Sequence, residues 1–237
     1  MFFSSNTSSG PAPPSSFAAN GGTVLAGGGN TFTLGTFNVP TGNSILLAFT
    51  IHGNSGAYCG TISGVTGNSG GDTFTQISSS PFVQTQTCVS IWKMWTPTPN
   101  AAYTVVMQGN GSSPAGFIWS ALTFNPGTLT GTMDGGSNIP CSGGSNAATA
   151  IQCSSAMSPS GTLDLAFSAS ATYDDLTSPT DNSSPAFTIP SGGIQHTTSG
   201  SVIISYAVAN PVSGTYKPGV QSAGLGDWIV IGGVMFQ

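Results

Sequence analysis

The sequence predicts an all-β protein, an antiparallel β-sandwich with essentially no helix. Three observations support this prediction. Apolar runs of strand length recur along the chain, bounded by Gly, Pro, Asn or Ser. No segment keeps the 3.6-residue apolar period of an amphipathic helix over about eleven residues. Hydrophobic residues make up 38% of the chain, which is enough for a core, and its 34 glycines interrupt the apolar runs without a collagen period.

Twelve apolar runs are predicted to be strands, and most have a turn-forming residue close to one end. Gly and Pro break a strand through their backbone conformation, while Asn and Ser compete for its hydrogen bonds. With the delimiting residue in parentheses, the runs are Thr31–Val39 (Pro40), Ser44–His52 (Gly53), Ile62–Thr66 (Gly67), Thr73–Ile77 (Ser78), Val83–Thr96 (Pro97), Tyr103–Gln108 (Gly109), Gly116–Phe124 (Asn125), Leu163–Ala171 (Gly161), Ala186–Ile189 (Pro190), Ser201–Ala209 (Asn210), Thr215–Val220 (Ser222) and Trp228–Phe236 (Asp227).

The two halves of the predicted sandwich repeat one strand order. Short motifs recur at nearly constant separation, so we expect quasi-repeats at about residues 44–124 and 162–236. Because each half has few strands for a core of its own, we expect the halves to interleave as two Greek-key halves of one sandwich. Two sandwiches side by side are the alternative. The matched positions are Phe49 and Phe167, Phe74 and Phe187, Ile91 and Ile204, Tyr103 and Tyr216, and Phe124 and Phe236.

An extended N-terminal arm is predicted to precede the sandwich. Residues 1–22 are rich in Ser, Pro, Gly and Ala, a composition typical of disordered or polyproline II chain rather than of a packed element. We therefore expect one sandwich domain at residues 23–237 and an arm that lies on a neighbouring subunit. The start of the chain also lacks the basic and apolar stretches of a secretory signal. The arm residues assigned to the subunit contact are Phe2, Phe3, Pro11, Pro13 and Pro14.

Charge is nearly absent from this chain. Lys93 and Lys217 are its only fixed cations, it has no Arg or Glu, and charged residues make up 4% where about a quarter is usual. A chain with two separated lysines and a net charge of −5 lacks the basic surface that nucleic acids and anionic membranes require, so neither is an expected partner. A weakly charged surface instead suits an extracellular or virion setting, and it packs against copies of itself at low desolvation cost.

The four cysteines allow three disulfide pairings. Sequential pairing, Cys59 with Cys88 and Cys141 with Cys153, closes the shortest loops and is our prediction. Each bridge would contribute about 3 kcal/mol by restricting the unfolded chain. Four buried free thiols are the alternative, which a reducing assembly compartment would favour. No pair has the spacing of a zinc site and no histidine is near, so no metal is expected at these cysteines.

Several strand motifs together form a recognisable pattern. They are the opening strand Ser44–His52, the hairpin Val65–Thr75, the aromatic strand Ile91–Asn100 and the strand Tyr103–Val106. They resemble the jelly-roll-like β-sandwich modules of phage structural proteins and of secreted bacterial surface proteins. The resemblance covers about residues 31–237. It implies a jelly-roll-like fold and an extracellular or virion setting, and it implies no reaction.

Chemically reactive groupings are sparse. The acidic loop with Asp174, Asp175 and Asp181 offers oxygen ligands for Ca²⁺, although it lacks EF-hand spacing and a solvated loop is the alternative. The pattern G-x-S-x-G occurs at Gly67–Gly71, but in a predicted hairpin with no helix after it. His52 and His196 are predicted to lie at strand ends, and no pair of aspartates suggests a glycosidase. We therefore expect no enzyme and no cofactor.

Trp92 and Trp95 lie in a predicted strand with two apolar faces. Alternation places Trp92 and Met94 on one face and Lys93 and Trp95 on the other. The strand is then central, or a partner covers one face, so both tryptophans are assigned to the core or to a subunit interface. The alternative is that they stack on sugar rings, as exposed tryptophans do in carbohydrate-binding modules.

These observations predict a non-enzymatic virion structural protein, such as a phage capsid decoration, head-fibre or tail-surface subunit. We expect a homo-oligomer on the virion surface whose partners are other copies of the chain or a capsid or tail protein. The alternative is a glycan-binding or adhesive module of a secreted bacterial surface protein, with surface glycans as its partners. That alternative requires solvent-exposed side chains among Trp92, Trp95, Trp119 and Trp228.

Overall fold

The chain folds into stacked antiparallel β-sheets, so the predicted all-β sandwich is confirmed. The computed structural model describes residues 10–25, 30–51, 59, 62–78, 80–109, 116–176, 178–209 and 214–237. No α-helix occurs in these ranges, and the longest helical piece in them is a 3₁₀ turn at Asn68–Gly70. The jelly-roll connectivity implied by the resemblance stays a prediction.

Sixteen strands occur in the described ranges, and their ends follow the predicted runs most closely in the apolar segments. In chain order they are β1 (Ser15–Leu25), β2 (Thr31–Val39), β3 (Ser44–Ile51), β4 (Ile62–Gly67), β5 (Asp72–Thr73), β6 (Thr75–Gln76), β7 (Phe82–Gln84), β8 (Thr87–Met94), β9 (Asn100–Gly109), β10 (Gly116–Asn125), β11 (Cys141–Gln152), β12 (Asp164–Thr172), β13 (Thr180–Asp181), β14 (Ile194–Thr197), β15 (Gly200–Ala209) and β16 (Gly219–Phe236). The predicted strand Val83–Thr96 is thus a hairpin made of β7 and β8.

The two halves of the chain form separate sheets with the same strand order. The first sheet runs β1-β10-β3-β8-β6, with β7 also on β8, and the second runs β11-β16-β12-β15-β14, with β13 also on β16. A third, smaller sheet runs β2-β9-β4-β5 and belongs to the first half. Because no strand of these sheets pairs with a strand of the other half, the expected interleaving is wrong. The halves stack face to face instead.

The repeat extends to individual residue pairs. One expected match fails, because Phe49 faces the third sheet whereas Phe167 faces the first sheet. Leu46 occupies the position equivalent to Phe167, which shifts the match of the opening strands by three residues. Equivalent cross-strand pairs are Thr75–Lys93 and Thr188–Tyr206, Phe82–Val89 and Gln195–Val202, and Leu46–Leu122 and Phe167–Val234.

Apolar cores fill the spaces on both sides of the first and second sheets. The core between the third and first sheets contains Phe49 and Trp92, and the core between the first and second sheets contains Phe124 and Phe236. The outer face of the second sheet packs under loop segments that include Phe187. Strands β3, β10 and β12 are buried along almost their whole length, because their sheets are covered on both faces. This burial explains why their sequences are apolar without alternation.

In the second half, isolated β-bridges lie where the first half has the third sheet. Tyr103 of β9 and Tyr216 are both buried, as their match in the repeat requires. Tyr216, however, pairs only through an isolated bridge to Met157, and Lys217 through another to Ser184. The predicted strands Thr215–Val220 and Ala186–Ile189 are therefore reduced to single bridges, apart from the start of β16 at Gly219. Irregular segments cover the outer face of the second sheet.

The segment assigned to the arm is packed against the sandwich from Ser15 onward. Strand β1 pairs with β10 at the edge of the first sheet, and Phe17 stacks on Tyr206 with 4.0 Å between ring centroids. The structure therefore differs from the expected arm boundary at residue 22, since residues 15–22 belong to the sandwich. Composition missed this strand because small residues form it. Gly21 shows why, since a Cβ there would lie 2.6 Å from the carbonyl oxygen of Trp119.

Both predicted disulfides are confirmed. Cys59 is joined to Cys88 and Cys141 to Cys153, with Cα–Cα distances of 6.1 and 5.8 Å. The first bridge lies in the core beside the third sheet, and the second lies under the outer face of the second sheet. Because disulfides form and persist in oxidising compartments, these bridges indicate a protein located outside the cytoplasm.

Candidate functional site

Three neighbouring cavities at one end of the stacked sheets form the candidate site and are together called the groove. Their volumes are about 310, 400 and 580 Å³, and they share lining residues. Asn43 lines both the first and the second cavity, while Leu129 and Thr130 line both the second and the third. Among the described residues that line the groove, none has a charged side chain. The surface therefore offers amide, hydroxyl and apolar groups to a ligand.

Two irregularities in strand pairing shape the first cavity. An extra residue interrupts the pairing of β1 with β10 near Ser16, whose φ is +57°. The pairing of β2 with β9 shifts register at Asn38. A bulge takes a residue out of the hydrogen-bonded ladder and re-aims its side chain, and such bulges are common beside functional sites. Both Ser16 and Asn38 line the first cavity.

Asn43 lies where the first cavity meets the second, at the end of the turn between β2 and β3. Its backbone N–H donates to the Pro40 oxygen at 3.2 Å, and Gly42 has a φ of +79°, as a type II turn requires. Asn43 is only 8% exposed, yet its side-chain amide has no hydrogen-bond partner among the described residues. The amides of Asn20 and Asn38, which also line the first cavity, likewise have none. Each amide carries two donors and one acceptor that the fold leaves unused.

The Trp95 ring forms a fixed wall of the second cavity. It packs on Phe124 and Phe236 with 5.6 Å between ring centroids in both cases, and its Nε1–H donates to the Leu129 oxygen at 3.3 Å. Gly131 permits this packing, because a Cβ at that position would lie 2.2 Å from Cδ2 of Trp95. The half-buried Trp95 side chain is therefore held in a defined position beside the second cavity.

The tryptophans are mostly inside the molecule. Trp92 and Trp119 are 5% and 3% exposed, and Trp92 Nε1–H donates to Ser90 Oγ at 2.9 Å. Trp92 is therefore a core residue, which is one of the two positions expected for it. Trp95 packs between the two halves of its own chain. Trp228 is half-buried in an edge-to-face contact with Tyr173.

A pair of buried aspartates lies beside the third cavity, under Gly161. Asp134, in the linker between the halves, accepts hydrogen bonds from Gly136 N (2.6 Å), Ser160 N (2.8 Å), Ser160 Oγ (2.6 Å) and Gly161 N (3.1 Å). Burial raises its pKa, but these hydrogen bonds outweigh burial and hold the pKa of Asp134 below its ordinary value. Asp164, at the start of β12, is also fully buried, and neither of its carboxyl oxygens has a hydrogen-bond partner.

The two carboxyl groups influence each other. Burial first, and then the neighbouring charge of Asp134, raise the pKa of Asp164 to about 7. Asp164 is therefore mostly protonated in mildly acidic solution and mostly ionised in alkaline solution, and its burial keeps it from direct contact with a solute. Tyr216 lies close enough that the charge of Asp164, after burial, contributes to raising the pKa of its phenol. The arrangement is a pH-sensitive structural element.

The three aspartates considered for calcium are not brought together. Asp181 accepts hydrogen bonds from Ser183 Oγ at 2.6 Å and from Phe187 N at 2.9 Å, so its carboxylate is used within its own turn. Asp175 contacts His196, with 2.8 Å between Oδ1 and Nδ1. In the part of the chain that the structure describes, no group of three or more His, Cys, Asp or Glu residues is placed to hold a metal ion.

The catalytic patterns do not assemble either. Ser69 of the G-x-S-x-G pattern lies in the 3₁₀ turn beside the third sheet. His196 lies on β14 of the second sheet, where both it and Asp175 are partly exposed, by 44% and 34%. The pattern and the His–Asp contact therefore belong to different sheets. His52 lies outside the described residues.

Of the arm residues assigned to a subunit contact, the described ones touch their own chain. Pro11 lines the third cavity, Pro13 lies beside Gly127, and Pro14 is buried. Phe2 and Phe3 lie outside the described residues.

Neither the groove nor the aspartate pair is predicted from the sequence. For the pair, one signal was available: Asp164 interrupts an apolar run between Leu163 and Leu165, in a strand expected to be buried. For the groove, the sequence shows Asn38 and Asn43 only as polar residues on either side of Pro40. Their convergence with Trp95 depends on how the strands are arranged in space.

The comparisons with known proteins show no family. No protein-family model matches the chain, and no curated protein matches it. Among solved structures, a conserved protein of unknown function from Pseudomonas aeruginosa PAO1 is 8% identical, with 93% of this chain and 98% of that chain covered. Its TM-score of 0.22 is too low to support a conclusion about fold or function. No helix in the described residues is long and apolar enough to cross a membrane.

Proposed function

We propose that this protein is a non-enzymatic structural protein of a virion surface, such as a phage capsid decoration, a head fibre or a tail-surface subunit. One observation carries the proposal: the N-terminal segment is attached to the body at a fixed place, on the linker between the two halves. A segment attached in this way is suited to joining the body to a neighbouring subunit.

The attachment consists of short polar contacts and close backbone packing. Thr128 donates to the Ala12 oxygen both from its backbone N–H at 3.0 Å and from its Oγ1 at 3.2 Å. Gly127 has a φ of +63°, and a Cβ there would lie 2.2 Å from the same oxygen. Pro14, two residues after Ala12, is buried. The segment of residues 12–14 is therefore fixed to the body at a defined point.

The body has properties that suit display or cementing. Its central sheets are covered on both faces and two disulfides restrict its unfolded chain, so it is a robust unit. Its low charge reduces the desolvation cost of packing against copies of itself. Buried acids such as Asp72, which accepts hydrogen bonds from Tyr103 Oη at 2.8 Å and Thr98 N at 2.9 Å, serve the fold. That use supports a non-enzymatic role.

The partners in this proposal are other copies of the chain or a capsid or tail protein. The alternative role, a glycan-binding or adhesive module of a secreted protein, was expected to expose tryptophans for stacking on sugars. Trp92 and Trp119 are buried, so this form of the alternative loses two of its four candidate residues. Their burial favours the structural role.

The test is the mass of the native particle by light scattering, for the full chain and for variants lacking residues 1–9 or 1–14. We expect the full chain to form an oligomer and both truncations to be monomers. Only the variant lacking residues 1–9 should keep the thermal stability of the full chain, because removal of residues 1–14 also deletes the contacts of Ala12 and Pro14. Removing residues 1–22 would be uninformative, because it deletes most of β1. A full chain that stays monomeric at all concentrations, alone and with its capsid or tail fraction, would overturn the proposal.

A further inference from the structure

We propose that the groove is the place where a neighbouring copy is joined, and that residues 1–9 of a second copy of this chain bind in it. The inference rests on the structural role proposed above and names the site at which the N-terminal segment meets its neighbour. Three observations lead to it: the chain leaves the body at one end of the groove, the first cavity lies between two sheet edges, and the segment matches the groove in polarity.

The polypeptide runs beside the groove before it leaves the body. Ser16 lines the first cavity and Pro11 lines the third, so the stretch between them follows the groove. Thr128, which also lines the third cavity, holds this stretch in place through its two hydrogen bonds to the Ala12 oxygen. The chain before Gly10 therefore starts at the third cavity, at the opposite end of the groove from Ser16.

A second copy fits this arrangement better than the same copy does. To enter the first two cavities of its own body, the segment would have to reverse direction and run back beside residues 11–16. Pro11, Pro13 and Pro14 have fixed φ angles, which restrict a reversal in that stretch. The segment of a neighbour needs no reversal. Nine residues reach about 30 Å when extended, which is enough to cross from one body to another in contact with it.

The first cavity offers sheet edges to an extended segment. Among the described strands, β1 pairs only with β10 and β2 only with β9, so each is outermost in its sheet. An outermost strand leaves a row of backbone N–H and C=O groups unpaired, and extended segments bind proteins by pairing with such an edge. Asn20 of β1 and Asn38 of β2 line the cavity, and their carboxamides can donate and accept as a peptide group does.

The segment and the groove agree in polarity. Residues 1–9 read MFFSSNTSS, in which three apolar side chains precede hydroxyl and amide groups and none is charged. No charged side chain lines the groove among the described residues, so neither surface would bury an unpaired charge on contact. Phe2 and Phe3 supply large aromatic side chains, which contribute strongly to interfaces. The apolar residues available to them line the second and third cavities: Pro97, Pro126, Leu129 and Leu163.

The first test is photo-cross-linking of the full chain with Phe3 replaced by p-benzoylphenylalanine, on an equal mixture of ¹⁴N- and ¹⁵N-labelled copies. We expect position 3 to cross-link to a peptide that contains groove residues. Cross-linked pairs that combine one light and one heavy peptide would show that the bond joins two copies. A cross-link to the groove that occurs only within one copy would overturn the inference, because the segment would then bind its own body.

The second test blocks the groove. Thr96→Arg and Thr162→Arg place a long charged side chain in the second and third cavities respectively. Both threonines are exposed, so the changes should leave the fold intact. We expect each variant to weaken self-association by about tenfold in concentration-dependent light scattering. Thr198→Arg is the matched control, because Thr198 is exposed in the turn between β14 and β15 and does not line the groove. This control should associate as the wild type does.

Failure of this inference is distinguishable from failure of the structural role. The inference alone is overturned if the chain associates only with its capsid or tail fraction. It is also overturned, with the structural role still standing, if the cross-link lies outside the groove or if both groove variants associate like the control. A chain that stays monomeric both alone and with that fraction overturns both proposals.

Discussion

Asp164 is buried beside Asp134, and the two carboxyl groups differ in the hydrogen bonds that they accept. Asp134 accepts four hydrogen bonds from backbone and hydroxyl donors, whereas Asp164 accepts none. Burial raises the pKa of Asp164, and the charge on Asp134 raises it further. The pair stores a proton between the linker and the first strand of the second half, so the stability of that junction depends on pH.

Asp164→Asn is expected to stabilise the protein in mildly alkaline solution. An ordinary aspartate in the unfolded chain ionises near pH 4, whereas folded Asp164 ionises at about pH 7. Between these values the unfolded state gives up a proton that the folded state keeps, so stability falls as the pH rises and then levels off. Thermal unfolding should show a gain of about 4 kcal/mol for the variant at pH 8 and little change at pH 4. A gain that is equal at both pH values contradicts the assignment.

Asp134→Asn should have the opposite effect. The low pKa of Asp134 means that its ionised form contributes stability at neutral pH, and this contribution is lost as the pH falls through that pKa. In the variant, the asparagine amide faces N–H groups whose hydrogen bonds the carboxylate accepted, and its own N–H₂ group cannot accept them. We expect a loss of about 2 to 3 kcal/mol at pH 7 that shrinks in acid, measured by the same unfolding series.

Phe17 should link the two halves energetically. It lies on β1 of the first sheet, and its ring stacks on Phe124 of the same half and on Tyr206 of the other half. Phe17→Ala is expected to cost about 2 kcal/mol, less than a fully buried phenylalanine because Phe17 is half-buried. Thr23→Ala, an exposed change on the same strand, should be almost neutral in denaturant unfolding. Equal effects of the two changes would mean that β1 does not hold the halves together.

Gly131→Ala should displace Trp95. The Gly131 backbone has a φ of +78°, and the new Cβ would lie 2.2 Å from the indole ring. We expect a loss of about 2 to 3 kcal/mol and a change in tryptophan emission as the ring moves. Gly135→Ala is the control, since a Cβ there meets nothing within 4 Å. Unchanged emission in Gly131→Ala would show that the ring is not confined as described.

The loss of stability on removing each disulfide should increase with the length of the loop that the disulfide closes. Cys59–Cys88 spans 29 residues and Cys141–Cys153 spans 12. In the chain-entropy account, replacing both cysteines of each pair by alanine costs about 3.5 and about 3 kcal/mol respectively. Thermal unfolding without reductant measures the difference. A larger loss for the shorter loop would show that packing of the buried sulfurs, rather than loop closure, dominates.

Prediction from sequence worked best where short-range rules decide the outcome. The run Thr31–Val39 is predicted with its observed ends, because Pro40 and Gly42 close it and apolar residues recur along it. The edge strands β1 and β11 escape prediction, since their Gly-, Ser- and Ala-rich sequences contain few strand formers. These segments are extended because their backbones pair with β10 and β16, although their side chains do not favour a strand.

The candidate site likewise has features that local sequence predicts and features that depend on distant residues. The cysteine pairs are predictable, because short loops close most readily, and the turn that presents Asn43 is visible in its Pro and Gly. The meeting of Asn20, Asn38 and Asn43 in one cavity is not visible, because they lie on different strands and turns. Nor does local sequence connect Asp134 with Asp164, although the apolar neighbours of Asp164 indicate that it is buried.

Strands, turns and disulfides follow from local patterns in this chain, because they depend on backbone hydrogen bonding, side-chain size and the closure of short loops. The repeat is also written in the sequence, through motifs that recur at nearly constant spacing. The face-to-face stacking of the halves, the burial of Asp164 beside Asp134 and the grouping of the cavities are decided only in the tertiary structure. They depend on contacts between residues far apart in the chain, whose relative energies no local pattern contains.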